Sequence, residues 1–263
     1  MPELWKVDLH CHSWFSRDCL MNPRAIIETA RVRGLDKLAI TEHNNVEGAR
    51  YLKRLAPDLI IIGEEVKSSA GEFIAYFVQE EVPKGLSPEE TLARLREQGA
   101  VISIPHPADS FRRSALGEAN ARRFIDQVDA IEVFNARCLY RDDNDAALAL
   151  ARRYGKLITA GSDAHSLGEI GHGYLLMPPF ADERASFLHS LSQAQALGAL
   201  SGLWPHFAST YAKWNKLLTG FEPPARSRRR SPCVPVDHRP RLLSSCRRVD
   251  PGETVIHSVE AAT

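Results

Sequence analysis

Short β-branched apolar runs alternate with longer amphipathic stretches along this chain, and no other feature narrows its fold as far. Such alternation encodes βα units, in which a helix crosses back over the sheet, and it predicts an α/β fold with a parallel sheet. Seven strands are expected, at Leu4 to His10, Lys37 to Thr41, Leu59 to Glu65, Ala100 to Ile104, Ala130 to Phe134, Leu157 to Ala160 and Tyr174 to Met177. Helices are expected over Pro23 to Arg33, Val46 to Leu55, Pro88 to Gln98, Glu118 to Gln127, Asp142 to Tyr154 and Asp182 to Gly198. Their ends carry the residues that helix termini need. Asn22-Pro23 and Ser87-Pro88 each pair an N-cap with proline at the first helical position, and Gly34, Gly99 and Gly155 stand where helices close. Gly71 to Val78, apolar and aromatic after a glycine turn, is a further strand candidate that would pair with the third.

A chain of 263 residues, 44% hydrophobic, buries one sizeable core with room for a short appendage. Its formal net charge of zero supplies no global field toward DNA or an anionic membrane, so phosphate recognition must be local. Met1 to Asp8 lacks the basic and apolar regions of a signal peptide, and Leu59-Ile60-Ile61-Ile62 is far too short to span a bilayer. A cytoplasmic location is expected. Five cysteines, an odd number, argue for reduced thiols, with Cys11, Cys19 and Cys138 as small buried side chains. Composition shifts near Phe221 to a proline-, serine- and arginine-rich remainder without apolar periodicity. The folded domain is therefore placed at residues 1–220 and a disordered, solvated tail at 221–263.

Asp8-Leu9-His10-Cys11-His12 closes the first strand candidate. In extended backbone, residues two apart share a face, so His10 and His12 can converge on one metal while Leu9 and Cys11 point into packing. Alone, that pair also fits two buried histidines satisfied by hydrogen bonds. The other strands add weight: His43 follows the second, Glu65 ends the third, His106 follows the fourth, Asn135 the fifth, and Asp163 with His165 the sixth. In a parallel barrel all strand C-termini open onto one face, which would make these residues neighbours. Imidazoles and carboxylates without a thiolate pair describe a catalytic site for zinc, manganese or iron (Zn, Mn or Fe). The set exceeds what one ion can use, so two or three divalent metal ions are expected, with Glu65 able to bridge a pair.

These motifs together resemble the polymerase and histidinol phosphatase (PHP) superfamily of metal-dependent phosphoesterases. The resemblance covers roughly Leu4 to His172 and rests on Asp8-Leu9-His10-Cys11-His12-Ser13, Ile40-Thr41-Glu42-His43-Asn44, Gly63-Glu64-Glu65, Pro105-His106-Pro107 and Gly161-Ser162-Asp163-Ala164-His165. It implies a distorted seven-stranded (β/α)7 barrel and a ligand set of His10, His12, Asp18, His43, Glu65, His106, Asp163 and His165. Asn135 stands where some members have histidine, and Glu42 stands in place of an aspartate.

The expected activity is hydrolysis of a phosphate ester by metal-activated hydroxide, since paired cations lower the pKa of water and neutralise phosphoryl oxygens. Asp163 and His165 would carry it, with His172 as a candidate proton donor to the leaving group. Arg137 and Arg17 are the best candidates to clamp phosphate oxygens, ahead of Arg112, Arg113 and Lys67. Asp8 and Glu42 would orient the ligand histidines. The substrate is expected to be a small phosphorylated metabolite or nucleotide, such as histidinol phosphate, a nucleotide 3′,5′-bisphosphate or the 5′ end of a short oligonucleotide. Without a stacking platform or sustained basic stripe, long nucleic acid is not favoured. Two rivals stand beside this: an amidohydrolase-type enzyme acting on a C–N bond, and a non-catalytic metal-binding module.

Overall fold

The computed structural model describes residues 3–223 and, for the backbone alone, 254–258. Along the chain lie β1 (Trp5–Asp8), α1 (Pro23–Val32), β2 (Lys37–Ile40), α2 (Glu47–Leu55), β3 (Ile60–Lys67), β4 (Glu72–Tyr76), α3 (Pro88–Glu97) and β5 (Val101–Ile104). There follow α4 (Gly117–Phe124), β6 (Ala130–Asn135), α5 (Arg141–Arg153), β7 (Leu157–Gly161), β8 (Gly173–Met177), α6 (Arg184–Leu191), β9 (Gln195–Gly198), α7 (Trp204–Thr219) and β10 (Thr254–Ser258). The caps work as their residues require. Asn22 accepts from the Arg24 amide at 2.9 Å, and Ser87 from that of Glu90 at 3.1 Å, each with proline opening the helix.

The sheet runs β10-β9-β8-β1-β2-β3-β4-β5-β6-β7. It curls until its two sides meet: Leu9 N donates to Ala160 O at 3.1 Å, Asp163 N to His10 O at 2.7 Å and His12 N to Ala164 O at 3.1 Å, so the chain beyond β1 lies parallel to the chain beyond β7. Strands β1 to β9 thereby make a nearly closed barrel. Gly161 permits the seam, because a Cβ there would collide with the Cβ of His10.

Three expectations change. The seven-stranded, all-parallel sheet is instead nine strands around the barrel, parallel only in β1-β2-β3 and β5-β6-β7. Strand β4 runs antiparallel to both β3 and β5, and β8 runs antiparallel to β1 and β9. Periodicity reports that a segment is extended and says nothing of its direction. The helix expected over Asp182 to Gly198 ends at Leu191, and Gln195–Gly198 pairs with β8 instead. There the pairing overrides the helical propensity of an alanine- and leucine-rich stretch. Of the tail expected over 221–263, residues 224–253 and 259–263 lie outside the described residues. Thr254–Ser258, expected to be disordered, forms a strand against β9.

The core divides along the helix layers. Leu38, Ile40 and Ile60 pack under α1 and α2 through Ile26, Ala30, Ala49 and Leu52. Phe73, Tyr76, Ile102, Ile131 and Phe187 anchor the larger cluster on the other side. No helix among the described residues is long and apolar enough to cross a membrane.

Candidate metal centre

The six strands that carry candidate ligands, β1, β2, β3, β5, β6 and β7, all point the same way, so their C-terminal ends share one mouth of the barrel. The antiparallel β4 brings its first residue, Glu72, to that same mouth. Of the four non-glycine residues with left-handed backbone among the described residues, three lie here: Asn44 (φ 54°), His106 (φ 29°) and Asp163 (φ 52°). Such conformations cost about 1–3 kcal/mol each and persist where surrounding structure enforces them.

Side-chain atoms converge at distances that a shared cation sets. Nε2 of His10 lies 3.6 Å from Glu65 Oε2 and 3.5 Å from Asp163 Oδ1, and Nε2 of His12 lies 3.5 Å and 3.3 Å from the same two atoms. A tetrahedral site with arms of ~2.1 Å has edges of roughly 3.4 Å. All four atoms are buried and lack a hydrogen-bond partner, which is costly for polar groups and natural for ligands of one ion. A second group forms around Asp18, with His43 Nε2 at 3.5 Å from Oδ2 and His165 Nε2 at 3.4 Å from Oδ1. A third lies on the far side of Glu65. His106 Nε2 stands 3.2 Å from Glu65 Oε1, and Glu72, with an unpartnered buried oxygen, comes within 4.8 Å of ligand atoms on His43 and Glu65. Glu65 touches all three groups.

Supporting side chains fix the rings. Glu132 Oε1 accepts from His10 Nδ1 at 2.9 Å, which turns Nε2 toward Glu65 and Asp163. Its other oxygen accepts from the His106 amide at 2.9 Å and from Asn135 Nδ2 at 3.0 Å. The Ser16 hydroxyl sits 3.1 Å from His12 Nδ1 and hydrogen-bonds Glu42, so Glu42 orients a ligand ring through a serine relay. Asp8 does something else. It accepts from Ser162 N at 2.9 Å, Ser162 Oγ at 2.6 Å and Gly171 N at 2.9 Å, which staples the loop that carries Asp163.

Burial would raise Glu65, but His43 and His10 outweigh it and hold the carboxylate well below its usual range. Burial likewise opposes Asp163, which Arg112 and His10 keep ionised. For His12, burial together with His165 and His43 pushes the ring well below the usual imidazole range, so at neutral pH it is uncharged with a lone pair free. Burial lifts Glu42 to about 7 and Asp8 to about 6, outweighing the hydrogen bonds that lower each.

A cavity of about 240 Å³ opens beside the second group, and Asp18, His43 and His165 form its floor. Three cations reach it: Arg112, Arg137 and Lys213. Arg112 Nη1 is 2.6 Å from Asp163 Oδ2, although sequence reasoning ranked this residue below Arg17 and Arg137. Arg137 is buried, 2.6 Å from His165 Nδ1, and bound to Ser209 Oγ at 3.0 Å and Pro205 O at 3.2 Å. Arg17 is exposed and stands away from the cavity, and His172 bonds Ser201 Oγ at 2.9 Å outside its lining. Asn135 turns its amide nitrogen to Glu132 and Asp163, and its oxygen accepts from Arg137 N at 2.9 Å. Sequence reasoning overlooked Glu72, Glu132 and Lys213. Of these only Glu132 left a signal, an acid in the middle of the apolar run Ala130-Ile131-Glu132-Val133-Phe134.

A nearly closed α/β barrel with histidines and carboxylates gathered at the strand ends defines a metal-dependent hydrolase. The chain belongs to the PHP family: the PHP domain model matches residues 8–104 and the PHP-associated model residues 141–196. The uncharacterized protein MJ0417 of Methanocaldococcus jannaschii is 39% identical over 173 residues, 65% of this chain and 69% of that one. Among the solved structures that share the fold, two are similar over most of this chain. A two-domain protein from Bacteroides vulgatus, containing a predicted PHP-like metal-dependent phosphoesterase, has a TM-score of 0.62 at 19% identity, over 74% of this chain and 64% of its own. An amidohydrolase from Chromobacterium violaceum has a TM-score of 0.55 at 17% identity, over 70% and 96%.

Proposed function

We propose that this protein hydrolyses the phosphate ester of a small metabolite or nucleotide, with two or three divalent ions (manganese, zinc or iron) held by the clustered side chains. His10, His12, Glu65 and Asp163 form one set of ligands, Asp18, His43 and His165 a second, and Glu65, His106 and Glu72 a third. Bound divalent cations supply positive charge for phosphoryl oxygens and lower the pKa of water toward neutrality. The observation that carries the reading is the cavity, where Arg112, Arg137 and Lys213 face the same small space as the candidate ligands. Cations so placed complement the oxygens of a phosphoryl group and have no counterpart need in a neutral amide.

Arg112 offers a fork of donors at the cavity wall, and Arg137 holds His165 and α7 in register beside it. A volume of about 240 Å³ suits a compact phosphorylated group. The test is metal-reconstituted protein against histidinol phosphate, nucleotide 3′,5′-bisphosphates, short oligonucleotides and an amide panel. Phosphate release that His43→Ala or Asp163→Ala abolishes supports the proposal. Turnover of amides alone would replace it with a C–N hydrolase, and bound metal without turnover with a binding module.

A further inference from the structure

Helix α7 presents two faces of opposite character. Its inner face is built of small and polar residues: Pro205, Ser209 and Ala212 are buried, Lys216 Nζ donates to the Trp14 and Ser16 carbonyls at 2.6 Å each, and Lys213 lies 3.3 Å from Asp18 Oδ2. The opposite face is aromatic and open. Trp204 is 79% exposed, Phe207 65%, Tyr211 65%, Trp214 60% and Leu218 80%. Spacings of three, four, three and four residues align these five side chains in one stripe along the helix.

We propose that this stripe is the interface through which two copies of the chain pair, helix against helix, about a two-fold axis. The spacing is that of a two-helix seam, in which side chains three and four apart pack between those of a facing helix. The area is sufficient. Four aromatic side chains exposed to this degree and one leucine present roughly 700 Å² per copy, against ~800 Å² per partner in stable interfaces. Leu203, Leu217 and Phe221 lie exposed at the margins and extend the patch. Monomeric proteins rarely leave a contiguous apolar surface of this size to water.

Charge favours a second copy over other occupants. The stripe carries no ionisable group other than the Tyr211 phenol, and its flanking positions, Ala208, Thr210 and Asn215, are neutral. A two-fold axis therefore brings no like charges together. The lysines of α7 sit toward the barrel, engaged with Asp18 and the loop carbonyls, whereas an anionic membrane would be met by lysines beside the aromatics. The chain's own residues 224–253 offer eight arginines but few large apolar side chains to cover the stripe. Because the inner face of α7 walls the cavity, pairing of the outer faces would fix that wall in place.

The test is sedimentation equilibrium of the full chain from about 1 to 100 μM, beside Tyr211→Glu and the double variant Phe207→Glu/Trp214→Glu. A dimer for the wild type, with both variants monomeric and unchanged in far-UV circular dichroism, is expected. These positions are exposed, so the substitutions leave the monomer's packing intact. A wild type that is monomeric throughout, or variants that remain dimeric, would overturn the proposal. So would a monomer that instead floats with phosphatidylcholine–phosphatidylglycerol vesicles through the same residues.

Discussion

Replacing Glu132 by glutamine tests how the metal centre is held together without touching a proposed ligand. The carboxylate accepts three hydrogen bonds: His10 Nδ1 on one oxygen, and the His106 amide and Asn135 Nδ2 on the other. Glutamine has one accepting end and one donating end, so in either orientation a donor faces a donor. If the amide nitrogen faces His10, the ring either loses its partner or shifts its proton to Nε2, the atom aimed at Glu65 and Asp163. If it faces the other way, the His106 backbone loses the contact that holds its left-handed conformation. Both routes weaken a ligand through its support. Losses of this kind amount to ~10- to 100-fold in metal affinity. That corresponds to about 1.4 to 2.7 kcal/mol.

The measurement is a competition titration of the apoprotein with a chromophoric chelator, with thermal unfolding to establish that the variant is folded. Glu132→Gln should bind the first ion ~10- to 100-fold more weakly than wild type. A folded variant with wild-type affinity and stoichiometry would refute the reasoning, because it would show that His10 and His106 keep their places without this carboxylate.

Two further outcomes follow from the geometry. Arg112→Ala should lower kcat/KM for a phosphate ester by ~10²- to 10³-fold even at saturating metal, since the guanidinium lines the cavity besides supporting Asp163; equal rates at saturating metal would remove Arg112 from the phosphate site. Burial pushes Glu64 up to about 8 from 4.5, so the stability it contributes is complete below about 4.5 and is lost as pH rises through about 8. Glu64→Gln keeps an acceptor for Val82 N, and urea unfolding should show a gain of about 1–3 kcal/mol at pH 8 that shrinks toward pH 5. A gain that does not depend on pH would rule out ionisation as its cause.

What the sequence reveals of this site follows from what is encoded locally. His10 and His12 are two apart at a strand end, and His43, Glu65, His106 and Asp163 each stand at or just beyond another, so period and position suffice to place them together. Strand direction is not local. Glu72 reaches the mouth only because β4 runs against its neighbours, a fact carried by pairing with Ile102 and Ser103 on β5 and invisible in the segment itself. Glu132 is visible as an oddity, an acid in an apolar strand, but its partner His10 lies 122 positions away, and nothing near Glu132 names it.

Helix α7, over Trp204–Thr219, is not among the helices expected from the sequence, and it lies with its apolar face outward. An amphipathic helix ordinarily turns its apolar stripe inward, yet Trp204, Phe207, Tyr211, Trp214 and Leu218 are all exposed. The barrel mouth is lined by carboxylates and imidazoles, and what it can accept from a helix is polar: Ser209 for Arg137, Lys213 for Asp18, Lys216 for the carbonyls of the β1–α1 loop. Those contacts fix the helix with its polar side down. The aromatic stripe must then face away, leaving an apolar surface of a size that monomeric proteins rarely give to water.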